Sequence, residues 1–193
     1  MPSPIFPHTS RAALGLALLA LAGCQNLSER QKGTAQVLKT IVNEPFTVPL
    51  EKLPFPVEIR ELSPGPYKLP FPLDCRFLLH ASPCLGCRLE LDGKIIAYIP
   101  DTGPCENAVL LAEDADLIIA ECAFLPGEKS EAWPHLTPQD AADIARQARA
   151  KQLALTHFDA GRYTSLQMRH QAAATAEGFS HIMVAEDEMV LHL

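Results

Sequence analysis

The sequence predicts an α/β fold in which a group of antiparallel strands is followed by alternating strands and helices. Residues 85–91 and 94–99 are apolar runs separated by Asp92-Gly93, a dipeptide typical of the tight turn between two antiparallel strands. Beyond residue 107, the apolar spacing alternates between that of a helix and that of a short buried strand. This order of elements is typical of α/β layering.

The first half of the chain is predicted to be extended and rich in turns. Residues 34–42 have apolar side chains at helical spacing, and Pro45 ends this helix. Most of the 17 prolines lie between Pro45 and Pro83, and proline disfavours helix in the residue before it. Strands are predicted at residues 57–62 and 76–80.

The second half contains the clearest helix, which begins at Pro138. Thr137 is a suitable N-cap, Pro138 suits the first helical position, and Asp140 places a carboxylate in the first turn. The other elements follow from their apolar patterns. Helices are predicted at residues 107–112, 138–150 and 166–176, and strands at residues 117–120, 153–156, 181–184 and 189–192.

The composition is that of one globular domain. The chain has 193 residues, of which 48% are hydrophobic and 20% are charged. A net charge of −7 argues against a broad surface for nucleic acid. The six cysteines lack the spacing of a disulfide framework, so we expect reduced thiols. No apolar run reaches the ~18 residues that span a membrane.

The N-terminal region resembles a bacterial lipoprotein leader. Residues 1–23 combine a basic residue, an apolar run and small residues before Cys24, as in a signal peptide. Cys24 would then carry the lipid, and the protein would be a cell-envelope lipoprotein with a membrane anchor. The other interpretation is an unrelated leader on a cytoplasmic protein. Residues 24–32 form a linker, and residues 33–193 form the domain.

Three residues of metal-ligand type stand at the ends of apolar runs. His80, Asp101 and His157 each lie where a predicted strand meets a loop, which is the usual place for a site. Asp101 alone could also cap the following helix, and His157 alone could be a core histidine. The three together favour a metal site.

The order of these residues, with His135 between the last two, resembles the second half of a metallo-β-lactamase-fold hydrolase, closest to the ribonuclease Z-like branch. Residues 80–88 match the segment H-x-x-P-x-x-G-Y-R, except that Cys87 replaces the tyrosine. The resemblance implies an αββα sandwich, of which this chain holds the second half. Cys84, Cys87 and His80 also form an H-x₃-C-x₂-C cluster, which has a zinc or redox interpretation beside a packing role for Cys84.

The resemblance implies specific roles for five residues. His80, Asp101 and His157 would bind two zinc ions, with Asp101 bridging them, and the ions would make a hydroxide available for attack. His135 would protonate the leaving group, oriented by Glu121. The implied reaction is hydrolysis of a small phosphodiester or of an RNA end.

The family segment H-x-H-x-D-H does not occur upstream of His80. Without it, each zinc ion keeps two protein ligands and shares one of them, whereas a catalytic zinc needs at least three. We therefore expect a truncated site with weak zinc binding and impaired activity, so that the enzymatic status is open. Two alternatives stay open: a non-enzymatic, lipid-anchored envelope protein, and a half-domain completed by a partner chain, as in a dimer.

Overall fold

The computed structural model describes residues 52–53 and 60–193, in which seven strands form one mixed sheet. The strands lie side by side in the same order as along the chain. Strands β1 to β4 pair antiparallel, and β4 to β7 pair parallel. The strands are β1 (Gly65–Lys68), β2 (Pro72–Phe77), β3 (Leu85–Leu91), β4 (Lys94–Ile99), β5 (Leu117–Glu121), β6 (Leu153–Thr156) and β7 (Ile182–Val184). The predicted α/β order is therefore confirmed.

Three helices connect the parallel strands. They are α1 (Glu106–Ala112), α2 (Pro138–Gln147) and α3 (Leu166–Ala173). Parallel neighbours need such crossover connections, whereas the antiparallel strands need only short turns. Among the described residues, no helix is long and apolar enough to cross a membrane.

The main core contains side chains of helices α1 and α2 and of the parallel strands. Ala108 and Leu111 of α1 and Ala145 of α2 are fully buried in one cluster with Ile118 and Leu155 of the sheet. Removing apolar surface from water is the main stabilising contribution to such a core. The core therefore fixes the strand ends that carry the candidate site.

A smaller apolar cluster covers part of the antiparallel strands. Leu73 and Cys75 of β2 pair with Leu89 and Cys87 of β3, and all four side chains are buried. The sulfur atoms of Cys75 and Cys87 are 3.6 Å apart, and the hydrogen bond between the two thiols raises the pKa of Cys87. The described part of the chain contains no disulfide bond.

Some strand predictions differ from the structure. A strand is predicted at residues 76–80, whereas β2 spans Pro72–Phe77. Strand β1 is not predicted from the sequence. Pro66 is tolerated in β1 because this strand lies at the edge of the sheet. The predicted strand 189–192 is wrong: residues 187–188 form a turn, and the exposed residues after it do not pair with another strand.

Helix α2 is shorter than predicted because a left-handed residue ends it. Arg149 has φ = +55°, and its N–H group donates to the carbonyl of Arg146. The N–H group of Ala150 donates to the carbonyl of Ala145, which completes a Schellman motif. The predicted N-cap Thr137 is confirmed, together with a capping box to Asp140.

Helix α3 ends at Ala173, three residues before its predicted end. The predicted helix 34–42, the linker 24–32 and the leader 1–23 lie outside the described residues. So do residues 57–59 of the predicted strand 57–62, and its described residues 60–62 are not in a strand.

Candidate active site

The candidate residues meet at one edge of the sheet because their strands point the same way. Glu121 is the last residue of β5, His157 directly follows β6, and Asp101 follows β4 by two positions. Strand β2 also runs parallel to β4, since two antiparallel pairings separate them, and it leads towards His80. Ligands of α/β proteins commonly bind at this carboxyl edge.

A buried Glu121–His135 pair is the best-defined part of the site. Oε1 of Glu121 lies 2.7 Å from Nδ1 of His135 and accepts hydrogen bonds from the backbone N–H groups of Thr102 and Leu136. Oε2 accepts a hydrogen bond from the N–H group of Ala123 at 2.8 Å. Because a carboxylate only accepts, Nδ1 of His135 carries the proton of this hydrogen bond. Nε2 is then the ring nitrogen that can exchange a proton with a substrate.

The environment of His135 favours its protonated form. The hydrogen bond that His135 donates to Glu121 raises the pKa of His135 above its usual value, burial opposes this effect, and the charges of Glu121 and Asp101 add to it. The side chain of His135 is almost completely buried, which limits competition from water. A protonated imidazole in this position is suited to donate a proton.

Asp101 and His157 form a second polar pair. Oδ1 of Asp101 lies 3.1 Å from Nε2 of His157. The side chain of His157 is 56% exposed, whereas that of Asp101 is 23% exposed. His157 has φ = +51°, a left-handed conformation that costs a non-glycine residue about 1–3 kcal/mol and is concentrated at functional sites. This conformation sets the direction in which the chain leaves β6.

His80 lies beside His135 but is not bonded to the other predicted ligands. The two imidazole rings are 5.2 Å apart, edge to face. Nδ1 of His80 accepts a weak hydrogen bond of 3.4 Å from the N–H group of Ser82. Nε2 is buried and has no hydrogen-bond partner in the described part of the chain. A buried nitrogen of this kind needs an explanation, and a ligand outside the described residues would provide one.

The described residues do not form a complete metal site. No three histidine, cysteine, aspartate or glutamate side chains within residues 52–53 and 60–193 come close enough to hold a metal ion. His80, Asp101 and His157 offer donor atoms of the right chemistry, but a catalytic zinc ion requires three protein ligands. Their role as ligands stays a prediction. The same finding applies to the cysteine cluster of Cys84 and Cys87 with His80.

Four residues of the site were not assigned a role from the sequence. Thr102 supports the His80 segment, since its Oγ1 accepts a hydrogen bond from the N–H group of Leu79. Arg162 stacks on the ring of Phe124, which itself meets the ring of His135 edge to face. Trp133 lies 5.2 Å from His80, ring to ring. Because Trp133 stands two residues before His135, the sequence could have indicated that it lies near the site. The roles of Thr102, Phe124 and Arg162 depend on contacts between distant segments, which leave no such local pattern.

Comparisons with known proteins show the family of the chain. The family model described as beta-lactamase superfamily domain matches residues 20–158. The chain belongs to this family. The match covers His80, Asp101, Glu121, His135 and His157.

Curated relatives of the chain include proteins named ribonuclease Z. The chain is 40% identical over 124 residues to that of Thermobifida fusca (strain YX), which covers 58% of this chain and 37% of the relative. It is 42% identical over 97 residues to that of Protochlamydia amoebophila (strain UWE25), which covers 49% of this chain and 31% of the relative. The chain is therefore ribonuclease Z-like and spans about a third of these relatives.

Two solved structures of the superfamily show the same fold. The metallo-β-lactamase fold protein YhfI from Bacillus subtilis has a TM-score of 0.55 and 24% identity, over 65% of this chain and 52% of that one. A diphosphatase from the PhnP family has a TM-score of 0.56 and 16% identity, over 83% of this chain and 55% of that one. At these identities the likeness shows the fold alone. The predicted metallo-β-lactamase-like fold class is confirmed.

Proposed function

We propose that the chain provides the proton-donating part of a phosphodiester hydrolase site, together with some ligands of its metal centre. The observation that carries the proposal is the buried hydrogen bond between Glu121 and His135, which lies beside Asp101 and His157 at the carboxyl edge of the sheet. The curated relatives named ribonuclease Z support this reaction class.

The chemistry of His135 follows from its bonds. In hydrolysis, the oxygen atom of a water molecule attacks phosphorus, this water releases a proton to solvent, and the bond from phosphorus to the leaving oxygen breaks. The leaving alkoxide needs a proton, which Nε2 of His135 supplies while Nδ1 stays bonded to Glu121. The negative charge of Glu121 stabilises the protonated ring before transfer and holds its orientation afterwards.

The metal centre belongs to the proposal as a shared site. His80, Asp101 and His157 would contribute donor atoms to zinc, and the remaining ligands would come from outside the described residues or from a partner chain, for instance in a dimer. Zinc would supply Lewis acidity and a hydroxide at neutral pH. The chain alone should therefore bind zinc weakly, because the described residues do not complete a three-ligand site.

The substrate class is an RNA end or a small phosphodiester. The ribonuclease Z relatives support RNA, whereas the net charge of −7 disfavours extensive contacts to a long phosphate backbone. A short RNA end meets both conditions. A non-enzymatic envelope role is the weaker alternative, since the polar pairs at the site have no function in it.

The test is zinc binding and hydrolysis by the purified full chain. Metal is first removed with a chelator, and zinc is then added back. The zinc content is measured by mass spectrometry, and hydrolysis is followed on bis(p-nitrophenyl) phosphate. Asp101→Ala should weaken zinc binding by about 10-fold or more. His135→Ala should leave zinc binding almost unchanged and reduce hydrolysis by about 100-fold or more.

His181→Ala is the matched control, because His181 is an exposed histidine outside the candidate site. It should change neither quantity. Zinc binding and hydrolysis that survive both Asp101→Ala and His135→Ala would contradict the proposed function. If the chain alone holds only background zinc, and zinc binding appears when a chain carrying H-x-H-x-D-H is added, this result would support the shared site.

A further inference from the structure

Trp133 is an exposed aromatic residue at the border of the candidate site. Of its surface, 56% is exposed, although His135, two residues later, is buried. A single exposed apolar side chain is ordinary in soluble proteins. Trp133 differs because its ring lies edge to face with His80 at 5.2 Å and 6.3 Å from the ring of His135. An open aromatic surface therefore lies next to the proposed proton donor.

We propose that Trp133 is a stacking platform for the nucleobase next to the scissile phosphate. The inference rests on the proposed phosphodiesterase function and names the part of the substrate that the site selects. It implies that the substrate is a nucleotide or an RNA end, and that a phosphodiester without a base binds poorly. Every nucleobase has a flat π-surface, so such a platform accepts all four bases.

Backbone contacts anchor the segment that carries Trp133. The main-chain N–H group of Trp133 donates a hydrogen bond of 3.1 Å to Oγ of Ser130. Pro134 packs so closely on Gly103 that an added Cβ there would lie 2.8 Å from the Cβ of Pro134. His135 is held by Glu121. Trp133 and the proton donor therefore belong to one short, anchored segment, as a specific binding platform requires.

The charges around the site make stacking the stronger source of affinity. Arg162 is a cation whose charge acts on His135, but it pairs with Glu128 and Asp159. The loop before His135 also contains Glu131 and one lysine, Lys129. Because acidic side chains outnumber basic ones among these residues, phosphate attraction alone would be weak, whereas stacking uses the flat face of the base and does not need a cation.

The chain offers a direct spectroscopic test, because Trp133 is its only tryptophan. Adenosine monophosphate and ribose 5-phosphate are titrated into the full chain, with excitation at the red edge of the indole band. The two probes share sugar and phosphate and differ by the base. We expect adenosine monophosphate to quench the emission to saturation and ribose 5-phosphate to leave it unchanged.

Variants measure how much of the binding the ring provides. Binding of adenosine monophosphate is followed by calorimetry, which does not depend on tryptophan emission. Trp133→Ala should raise Kd roughly 5- to 150-fold, as expected for loss of one base–aromatic stack. Trp133→Phe should keep most of the affinity. Val190→Ala, at a side chain that is 74% exposed in the C-terminal tail, should have no effect.

The inference is overturned if adenosine monophosphate does not quench the emission, if ribose 5-phosphate quenches it equally, or if Trp133→Ala binds like the unchanged chain. These experiments measure binding without turnover, so they do not depend on hydrolysis. If hydrolysis requires Asp101 but nucleotide binding does not require Trp133, the proposed function stands and the stacking platform is ruled out. If nucleotide binding requires Trp133 but hydrolysis does not require Asp101, the hydrolase is ruled out and a nucleotide-binding site remains.

Discussion

At the residue scale, Glu121 both supports the backbone and controls His135. Its carboxylate accepts hydrogen bonds from three backbone N–H groups, which belong to the segments after β4 and β5 and to the loop before α2. It also bonds to His135. A change at Glu121 therefore affects two properties, the stability of the loops and the protonation of His135. The two effects are separable, because glutamine keeps one acceptor oxygen but loses the charge.

We expect Glu121→Gln to lower the pKa of His135, because the hydrogen bond to Glu121 is the main cause of its elevation. The measurement is an NMR titration of the histidine ring protons in chelator-treated protein. An unchanged His135 titration would contradict the assigned role of Glu121.

The Glu121–His135 pair also makes the free energy of unfolding depend on pH. Because the folded-state pKa of His135 is raised, its contribution to stability is fully present below the unfolded value of about 6.5 and is lost as the pH rises through the folded value. Over this interval, the free energy of unfolding should fall more in the unchanged protein than in Glu121→Gln. Chemical denaturation at several pH values measures the difference.

At the element scale, side-chain contacts join the loop before α2 to the loop after β6, among them those of Arg162 and the hydrogen bond from the OH group of Tyr163 to the carbonyl of Phe124. Arg162 lies in the loop after β6, pairs with Glu128 of the other loop at 2.9 Å, and stacks on Phe124 at 5.3 Å from the ring centre. It also pairs with Asp159 in its own loop. These contacts hold His135 and His157 near each other, because each loop contains one of them.

We expect Arg162→Ala to loosen both loops and to lower stability by about 1 kcal/mol, since the ion pairs are partly exposed. Hydrogen exchange of residues 125–135 and 157–165 should speed up, while the core strands stay protected. Arg146→Ala is the matched control, because its pair with Asp143 is exposed and joins residues of one helix. Equal effects of the two substitutions would show that Arg162 has no special positioning role.

The elements that the sequence predicts well are those with local signals. The Asp92-Gly93 turn and the Thr137 cap mark their neighbouring elements within one or two residues, and the structure confirms both. The end of α2 was missed because Arg149, not glycine, takes the left-handed position there. Edge strand β1 was missed because its proline suggested a turn, although an edge strand tolerates proline.

The same reasoning applies to the site. His80, Asp101 and His157 were found because each follows an apolar run, a pattern that is visible in the sequence. The Glu121–His135 pair came from the family resemblance, and the structure places the two side chains 2.7 Å apart. The roles of Thr102 and Arg162 depend on contacts between residues 23 to 38 positions apart in the chain. Sequence spacing carries no signal for such contacts.

At the scale of the whole molecule, the location of the protein depends on Cys24, which lies outside the described residues. We propose that the protein is a lipoprotein of the cell envelope. In cells supplied with radiolabelled palmitate, the chain should acquire label, and Cys24→Ser should abolish it. Cys105→Ser is the control, because Cys105 belongs to the folded domain. Label that persists in Cys24→Ser would contradict the lipoprotein proposal.

The agreement between strand order and chain order has a consequence for how the sheet assembles. Among the seven strands of the described residues, none has to be inserted between two earlier ones, so each new strand pairs with the edge that its predecessor has just formed. Short separations between paired segments speed folding, because little chain entropy is lost when each loop closes. During synthesis, the sheet can therefore grow one strand at a time as the chain leaves the ribosome. The carboxyl edge is complete only after β6 has joined, so His157 is the last of the candidate residues to arrive.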